Sequence, residues 1–309
     1  MNQLLRVYIA VVEKQNFTRA AEALYMTQPA VTQYIHTFEK KLGTKLLERS
    51  NKHVQLNKAG EIAYKHAKEI LGLHSQMQTL IDDLMNKASG NLAIGASYTF
   101  GEYILPHLVA TLQSRYPLIK PKITIANTRR ISEWVANRQL DIGIVDGDVN
   151  NQNLTMESFA ENLMYIVVST KHPLASATNL TVQDLINETW IVREATSGTR
   201  AATEKMFSQL NFYPQSIMEF GSTQIIKESV EAGLGITFLS QCTVQKEISF
   251  GIFKILTVAG TPLRNDFSFI TQKTEFRTKT TEVMIDMLQN NKMLQQFLEG
   301  LYTVTSLPK

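Results

Sequence analysis

The spacing of apolar residues changes character once along this chain, and that change bounds the folds open to it. Up to about residue 84 they recur every three or four positions, as on helices. After Gly90 they fall into short runs separated by helical stretches. Leu4, Val7, Tyr8, Val11 and Val12 mark a first amphipathic helix that ends near Gln15 and Asn16. Thr18 then reads as the N-cap of a short second helix, whose small residues let another helix cross closely. A third helix starts at the cap Thr27, carries Pro29 in its first turn where the missing N–H is harmless, and ends at Gly43. Val31, Ile35, Phe38 and Leu42 form its expected buried stripe.

Gln28, Thr32 and His36 make a second stripe on that third helix, uncharged and rich in hydrogen-bonding groups. An ordinary solvent face more often carries Glu and Lys. Gln and Thr suit base edges in a major groove, and the helix start points N–H groups at phosphates. Two helices joined by a tight turn, the second with such a face, read as a helix-turn-helix; an ordinary helical bundle is the alternative. Val54 and Leu56 alternate with polar residues in a short hairpin, a wing with Arg49, Lys52 and His53 near its tip. Asn57 caps a long helix whose seam, Ile62, His66, Ile70, Leu73, Met77, Leu80 and Leu84, lasts about three heptads. Such a seam pairs with a copy of itself, or else packs on the protein's own body.

Charge follows the same division. Through residue 60, nine Lys and Arg face four Glu, a net of +5, which leaves −2 for the remainder of a chain whose total is +3. A basic head suits a polyanion, though a merely solvated basic face has the same count. With 44% apolar residues in 309 there is material for two or three cores, and disorder is excluded. One cysteine, Cys242, allows neither an internal disulfide nor a thiolate zinc cluster. The apolar amino terminus is broken by Arg6 and followed by Glu13 and Lys14, so it is read as neither signal peptide nor membrane span. A soluble cytoplasmic protein is the expectation.

From Gly90 onward strands and helices alternate: 92–96, a helix over 102–116, 122–126, a helix over 131–138, 140–145. A second set runs 163–169, 190–194, a helix after Arg200, 216–220, a helix over 223–232, 235–240 and 253–258, followed by 267–272 and a helix over about 279–300. The alternation argues for βαβ units and a parallel sheet in two α/β subdomains. Ligands in such sheets sit beyond the carboxyl ends of strands. Four segments meet that geometry: Ser97, Thr99 and Phe100; Thr128; Ser197, Gly198, Thr199 and Arg200; and Thr223. Their hydroxyls and N–H groups, with Arg200, suit a small carboxylate, sulfate or phosphate. Taken singly, each Ser or Thr is equally a plain helix cap. Residues 146–148 read as a loop, with Asp146 lining the cleft as the alternative.

Catalytic signatures are not found. His66 and His74 stand eight apart with no carboxylate between them on that face, so no metal site and no cofactor are expected. There is no nucleophile elbow, Walker loop or dinucleotide fingerprint; Gly233 and Gly235 lack the third glycine and precede a strand. Cys242 has no resolving partner for a peroxide-sensing disulfide. An enzyme acting on an anionic metabolite, its head serving only oligomerisation, remains the rival reading, with no general base or nucleophile pair to support it.

The stretch from Phe17 to Gly60 resembles the LysR-type transcriptional regulator family nearly position for position, at Ala20, Ala21, Leu24, 27–32, Ile35, Glu39, Leu42, Gly43, Leu46, Arg49, Leu56, Ala59 and Gly60. Leu47, Lys52 and Asn57 stand where Phe, Arg and Thr are usual, each keeping its physical role. The body is similar to the family's effector domain at 101–108, 140–145 and 232–239, and the form of 193–200 resembles the branch that regulates carbon fixation and sulfur assimilation. The resemblance implies an all-α winged helix-turn-helix head over residues 1–60, a linker and dimerisation helix over 57–88, and a two-lobed, periplasmic-binding-protein-like α/β effector domain over 91–309. Lobe 1 would take about 91–162 and 268–300, and lobe 2 about 163–267. It places Gln28, Pro29, Ala30, Thr32, Gln33 and His36 in the groove of double-stranded DNA, with Thr18, Thr27, Arg49 and Lys52 on phosphates. A homodimer or homotetramer that answers a small anionic effector by a change in lobe closure is the functional expectation.

Overall fold

The computed structural model describes residues 1–49, 54–83, 88–274 and 276–290, and its elements divide between two compact units. The first contains α1 (Asn2–Lys14), α2 (Phe17–Ala23), α3 (Gln28–Leu42), the antiparallel hairpin β1 (Leu47–Arg49) and β2 (Val54–Leu56), and α4 (Lys58–Asp83). Leu5, Val7, Tyr8 and Val11 of α1 meet Ala20 and Ala21 of α2 and Val31, Ile35 and Phe38 of α3 in one core. The two alanines give the close crossing that their size permits. Asn16, not Thr18, caps α2: its Oδ1 accepts the Arg19 N–H at 3.0 Å, and Thr18 lies exposed inside the first turn. Leu42 differs too. The last turn of α3 runs past its neighbours and leaves that side chain half exposed.

Polar groups fix the joints of this unit. Glu39 Oε1 accepts the N–H groups of Leu46 (2.8 Å) and Leu47 (3.4 Å), tying α3 to the start of the wing. Asn57 caps α4 by accepting the Gly60 N–H at 2.8 Å. Tyr8 donates its hydroxyl to the Gly60 carbonyl at 2.8 Å, and burial pushes its pKa up. A Cβ at Gly60 would stand 2.1 Å from the Leu46 carbonyl oxygen, so only glycine fits. Along α4, Ile62, Ile70, Leu73, Met77 and Ile81 are each about half exposed, an apolar stripe over more than five turns; Leu80 is half-buried, and Leu84 lies outside the described residues.

The second unit opens with β3 (Gly90–Ala96), α5 (Tyr98–Tyr103), α6 (Leu105–Arg115), β4 (Ile119–Ile125), α7 (Thr128–Ala136), β5 (Ile142–Asp146) and β6 (Leu154–Ala160). It continues through β7 (Leu163–Ser169), α8 (Val182–Ile186), β8 (Thr189–Arg193), α9 (Gly198–Gln209), β9 (Ser216–Phe220), α10 (Thr223–Glu231) and β10 (Thr237–Ser240). Then come α11 (Gln241–Ser249), β11 (Phe253–Leu256), β12 (Leu263–Arg264), β13 (Phe267–Gln272) and α12 (Lys279–Asn290). The single helix expected over 102–116 is two, divided at Ile104.

These strands make two lobes. The first sheet has the order β4-β3-β5-β13-β6, parallel through β4, β3 and β5 and antiparallel where β13 enters. In the second lobe β7 pairs antiparallel with β10, β11 and β12, while β8 and β9 pair parallel beside it. The wholly parallel sheet expected from alternation is therefore mixed in the first lobe and, in the second, is an antiparallel sheet with a separate parallel pair. The chain crosses between them twice, after β6 and before β13, and the Asn265 N–H donates to the Asn162 carbonyl at 2.9 Å where the crossings meet. Each lobe has its own core, around Phe100, Phe267 and Phe269 in the first and Trp190, Phe207 and Phe212 in the second. Among the described residues no helix is long and apolar enough to cross a membrane.

Candidate functional site

Two surfaces carry the chemistry. On α3, Gln28 and His36 are exposed and Thr32 is half-buried between them, in a stripe that runs beside the buried one of Val31, Ile35 and Phe38. Gln28 Nε2 donates to Thr32 Oγ1 at 3.0 Å, which holds the amide along the helix with its other groups turned outward. Thr27, Pro29 and Gln33 are exposed around the helix start and Ala30 is half-buried. Thr18 is exposed on α2. Arg49 ends β1, and Lys52 lies outside the described residues. Thr27 caps α3 by backbone conformation alone, without a hydrogen bond from its side chain. N–H groups at this end thus keep their donating capacity.

The second surface lies between the lobes. A cleft of about 460 Å³ is lined by Thr128, Arg129 and Ser132 from the first lobe, by 148–151, and by Ala195, Thr196, Ser197 and Gly198 from the second. Beside it the hydroxyls of Thr99 and Thr199, one from each lobe, both approach Asp146 Oδ2, at 3.4 and 3.2 Å. Thr128 Oγ1 approaches the carbonyl of Asp146 at 3.4 Å. Asp146 is thus a buried strand terminus joining the lobes, not part of a loop. Gly198 sits where α9 nearly touches β5: a Cβ there would stand 2.0 Å from the Asp146 carbonyl oxygen. Ser197 caps α9, accepting the Arg200 N–H at 3.0 Å, and Ser97 Oγ is buried with no partner among the described residues.

Two of the expected ligand residues are occupied elsewhere. Phe100 is a core side chain, packed edge-on against Phe159 and Phe267, because α5 turns its apolar face onto the first sheet. Arg200 is held by Glu204 at 2.7 Å, by Glu219 at 3.0 Å and by the carbonyl of Arg193 at 3.0 Å, so its donors are already directed. Thr223 is buried and accepts from Arg193 Nη1 at 3.3 Å. Arg193 is the cation that sequence reading passed over, since it appears there only as the end of a strand. Its guanidinium is buried, forked onto Glu194 and stacked 4.6 Å from the ring of Tyr98.

The lobes also meet behind the cleft. Lys227 of α10 lies 5.0 Å over the ring of Tyr103 of α5 and donates to Glu247 at 2.7 Å and to the Thr243 carbonyl at 3.1 Å. Burial works against its charge, but hydrogen bonds to Glu247 and Tyr103 outweigh that and hold its pKa above the ordinary lysine value. Burial raises the pKa of Glu102, against the pull of Arg193 and Lys227. Cys242 is pushed up to about 12 by burial, and its Sγ stands 3.0 Å from Ser240 Oγ. Among the described residues no group of three or more metal-ligating side chains converges.

Comparison with known proteins matches both units. Residues 2–61 match the bacterial regulatory helix-turn-helix protein, lysR family, and residues 86–292 match the LysR substrate binding domain. The HTH-type transcriptional regulator CysL of Bacillus subtilis is 38% identical over 292 residues, covering 94% of this chain and 98% of its own. A probable RuBisCO transcriptional regulator of Cyanophora paradoxa is 31% identical over 297 residues, covering 94% and 92%. The regulatory domain of Synechocystis CcmR, solved in complex with 2-PG, superposes with a TM-score of 0.61 at 26% identity, covering 66% of this chain and 99% of its own.

Proposed function

The chain belongs to the LysR family of transcriptional regulators, in the branch that holds CysL and the RuBisCO regulators, and from that premise we propose that it binds double-stranded DNA as an oligomer under the control of a small anion. The observation that carries this reading is the stripe of Gln28, Thr32 and His36, exposed at both ends, on a helix whose adjoining stripe of Val31, Ile35 and Phe38 is core. Amide and hydroxyl groups held in register every four residues suit the edges of successive bases in a major groove. Thr18, Thr27 and the basic wing residues Arg49 and Lys52 are assigned to phosphates, which position the head without reading sequence.

The half-exposed apolar stripe of α4 supports pairing with a second copy, which brings two heads to one duplex. Two heads on one face of DNA reach half-sites about one helical turn apart or a multiple of that. Thr128 and Ser197, which line the cleft, and Ser97, Thr99, Thr199 and Thr223, at the ends of strands from both lobes, are assigned to the effector. Their hydroxyls favour an oxyanion, and the 2-PG carried by the CcmR domain has that character. Action on DNA in the cytoplasm fits such a protein. Footprinting of the DNA flanking its own coding region tests the assignment: two protected patches spaced by whole helical turns are expected, and protection independent of sequence would refute it. Thermal-shift measurements with sulfate, phosphate and glycolate test the cleft.

A further inference from the structure

Arg193 closes β8 with a side chain only 1% exposed. A guanidinium this enclosed needs an anion, because an unpaired buried charge is strongly destabilising. Here the anion is its own neighbour in sequence. Arg193 Nε donates to Glu194 Oε2 at 2.8 Å and Nη2 donates to Glu194 Oε1 at 2.9 Å, two parallel bonds of the kind by which arginine holds any carboxylate or phosphate. The remaining edge donates to Thr223, and the flat face rests on Tyr98 of the opposite lobe, so the receptor is fixed on every side. Its occupant is not. Glu194 is 24% exposed, and its Oε1 lies 3.4 Å from Asn127 Nδ2, which the first lobe supplies.

We propose that Glu194 is an internal stand-in for the effector: the effector's anionic group replaces the Glu194 carboxylate on Arg193, and Glu194 turns out to solvent. This rests on the anionic-effector reading above and names the group that recognises the anion. The exchange has two consequences. Apparent affinity is lowered by the fraction of molecules in which Glu194 occupies the fork, so the residue sets the concentration at which the protein responds. Loss of the contact between Glu194 and Asn127 also weakens the link between lobes, because it removes one of two bonds from Asn127 Nδ2 that bridge them, the other going to Thr196 Oγ1 at 2.9 Å. The ligand class is an oxyanion with two oxygens able to meet the fork, a carboxylate, phosphate or sulfate; an uncharged polyol cannot displace a carboxylate there.

The test uses the full chain with sodium sulfate, sodium phosphate and sodium glycolate as probes and glycerol as the uncharged control, by calorimetry and thermal shift at fixed ionic strength. Glu194→Gln keeps the size and one acceptor oxygen but removes the charge, and is expected to lower the dissociation constant of a bound anion about tenfold. Glycerol should bind neither protein. Glu204→Gln removes the same charge from Arg200 and should leave anion affinity unchanged. Equal gains in both variants would overturn the proposal, since net charge alone would explain them. Anions that bind the parent and Glu194→Gln alike would also overturn it while leaving the anionic-effector reading intact. If no anion binds either protein, that reading falls as well. Arg193→Gln should abolish anion dependence; should it fail to fold, the Glu194→Gln comparison still decides.

Discussion

The polar stripe of α3 and the surroundings of the cleft in the effector domain are both rich in hydroxyls and amides, yet they stand in opposite states. On α3 the polar groups face outward and bond chiefly along their own helix, Gln28 to Thr32, so a ligand meets little internal competition. Around the cleft several polar groups are already engaged within the protein: Thr99 and Thr199 with Asp146, Arg193 with Glu194, Arg200 with Glu204 and Glu219. A surface of the first kind gains affinity from any matching partner, and specificity comes from position. A site of the second kind responds only to a ligand that outcompetes an internal anion. That is a threshold, which a sensor requires and a DNA-reading helix does not.

The largest effects are expected at two close-packed positions, one in each unit. Ile35→Ala should cost about 2–5 kcal/mol in the head, where Ile35 is wholly buried beside the polar stripe of α3. Calorimetry should show the head's transition lowered and that of the effector domain unmoved; a shift of both would mean that the units do not unfold separately. Gly198→Ala acts on the cleft instead, by placing a methyl against the Asp146 carbonyl. About 1–3 kcal/mol of effector-domain stability should go, with anion-dependent stabilisation reduced and DNA affinity in the absence of anions unchanged.

Smaller effects sharpen the assignment of cations. Arg200→Gln should lower stability by about 1 kcal/mol, because its partners Glu204 and Glu219 are solvent-exposed, and should leave the anion dissociation constant as it was; a large loss of anion binding would restore Arg200 to the role it has by sequence. Smallest is the response of Cys242. With its thiol raised to about 12 by burial, the thiolate fraction at pH 7.5 is negligible. Alkylation of the native protein should be slow and should become rapid in denaturant, and fast native labelling would contradict so high a thiol pKa.

Much of this arrangement was legible from residue order, for identifiable reasons. The Gly43 stop and the Asn57 cap depend on neighbours within one helical turn, and both hold, as do Val31, Ile35 and Phe38 of the buried stripe of α3, though not Leu42. Thr18 and Asn16 are both good caps two residues apart, and only the conformation selected Asn16. β6 was passed over because its sequence, LTMESFA, carries a weak apolar pattern, and α11 because it follows β10 without a break. In the cleft, sequence located the strand ends but not the pairing. Glu204 stands four residues from Arg200 on one helix and could have been read as its partner, whereas Glu219 comes from another strand. That Arg193 faces inward while its neighbour Glu194 curls back onto it is a tertiary fact, with no trace in spacing.

The most direct test concerns the face of α3. Competition gel shifts should compare the parent, Gln28→Ala and Thr32→Ala on the footprinted operator and on a scrambled duplex, across a salt series. Each substitution is expected to cost about 1–3 kcal/mol on the operator, to leave the scrambled duplex bound as before and to keep the salt slope of the parent. Equal weakening on both duplexes, or no weakening on either, would contradict the claim that these side chains read bases.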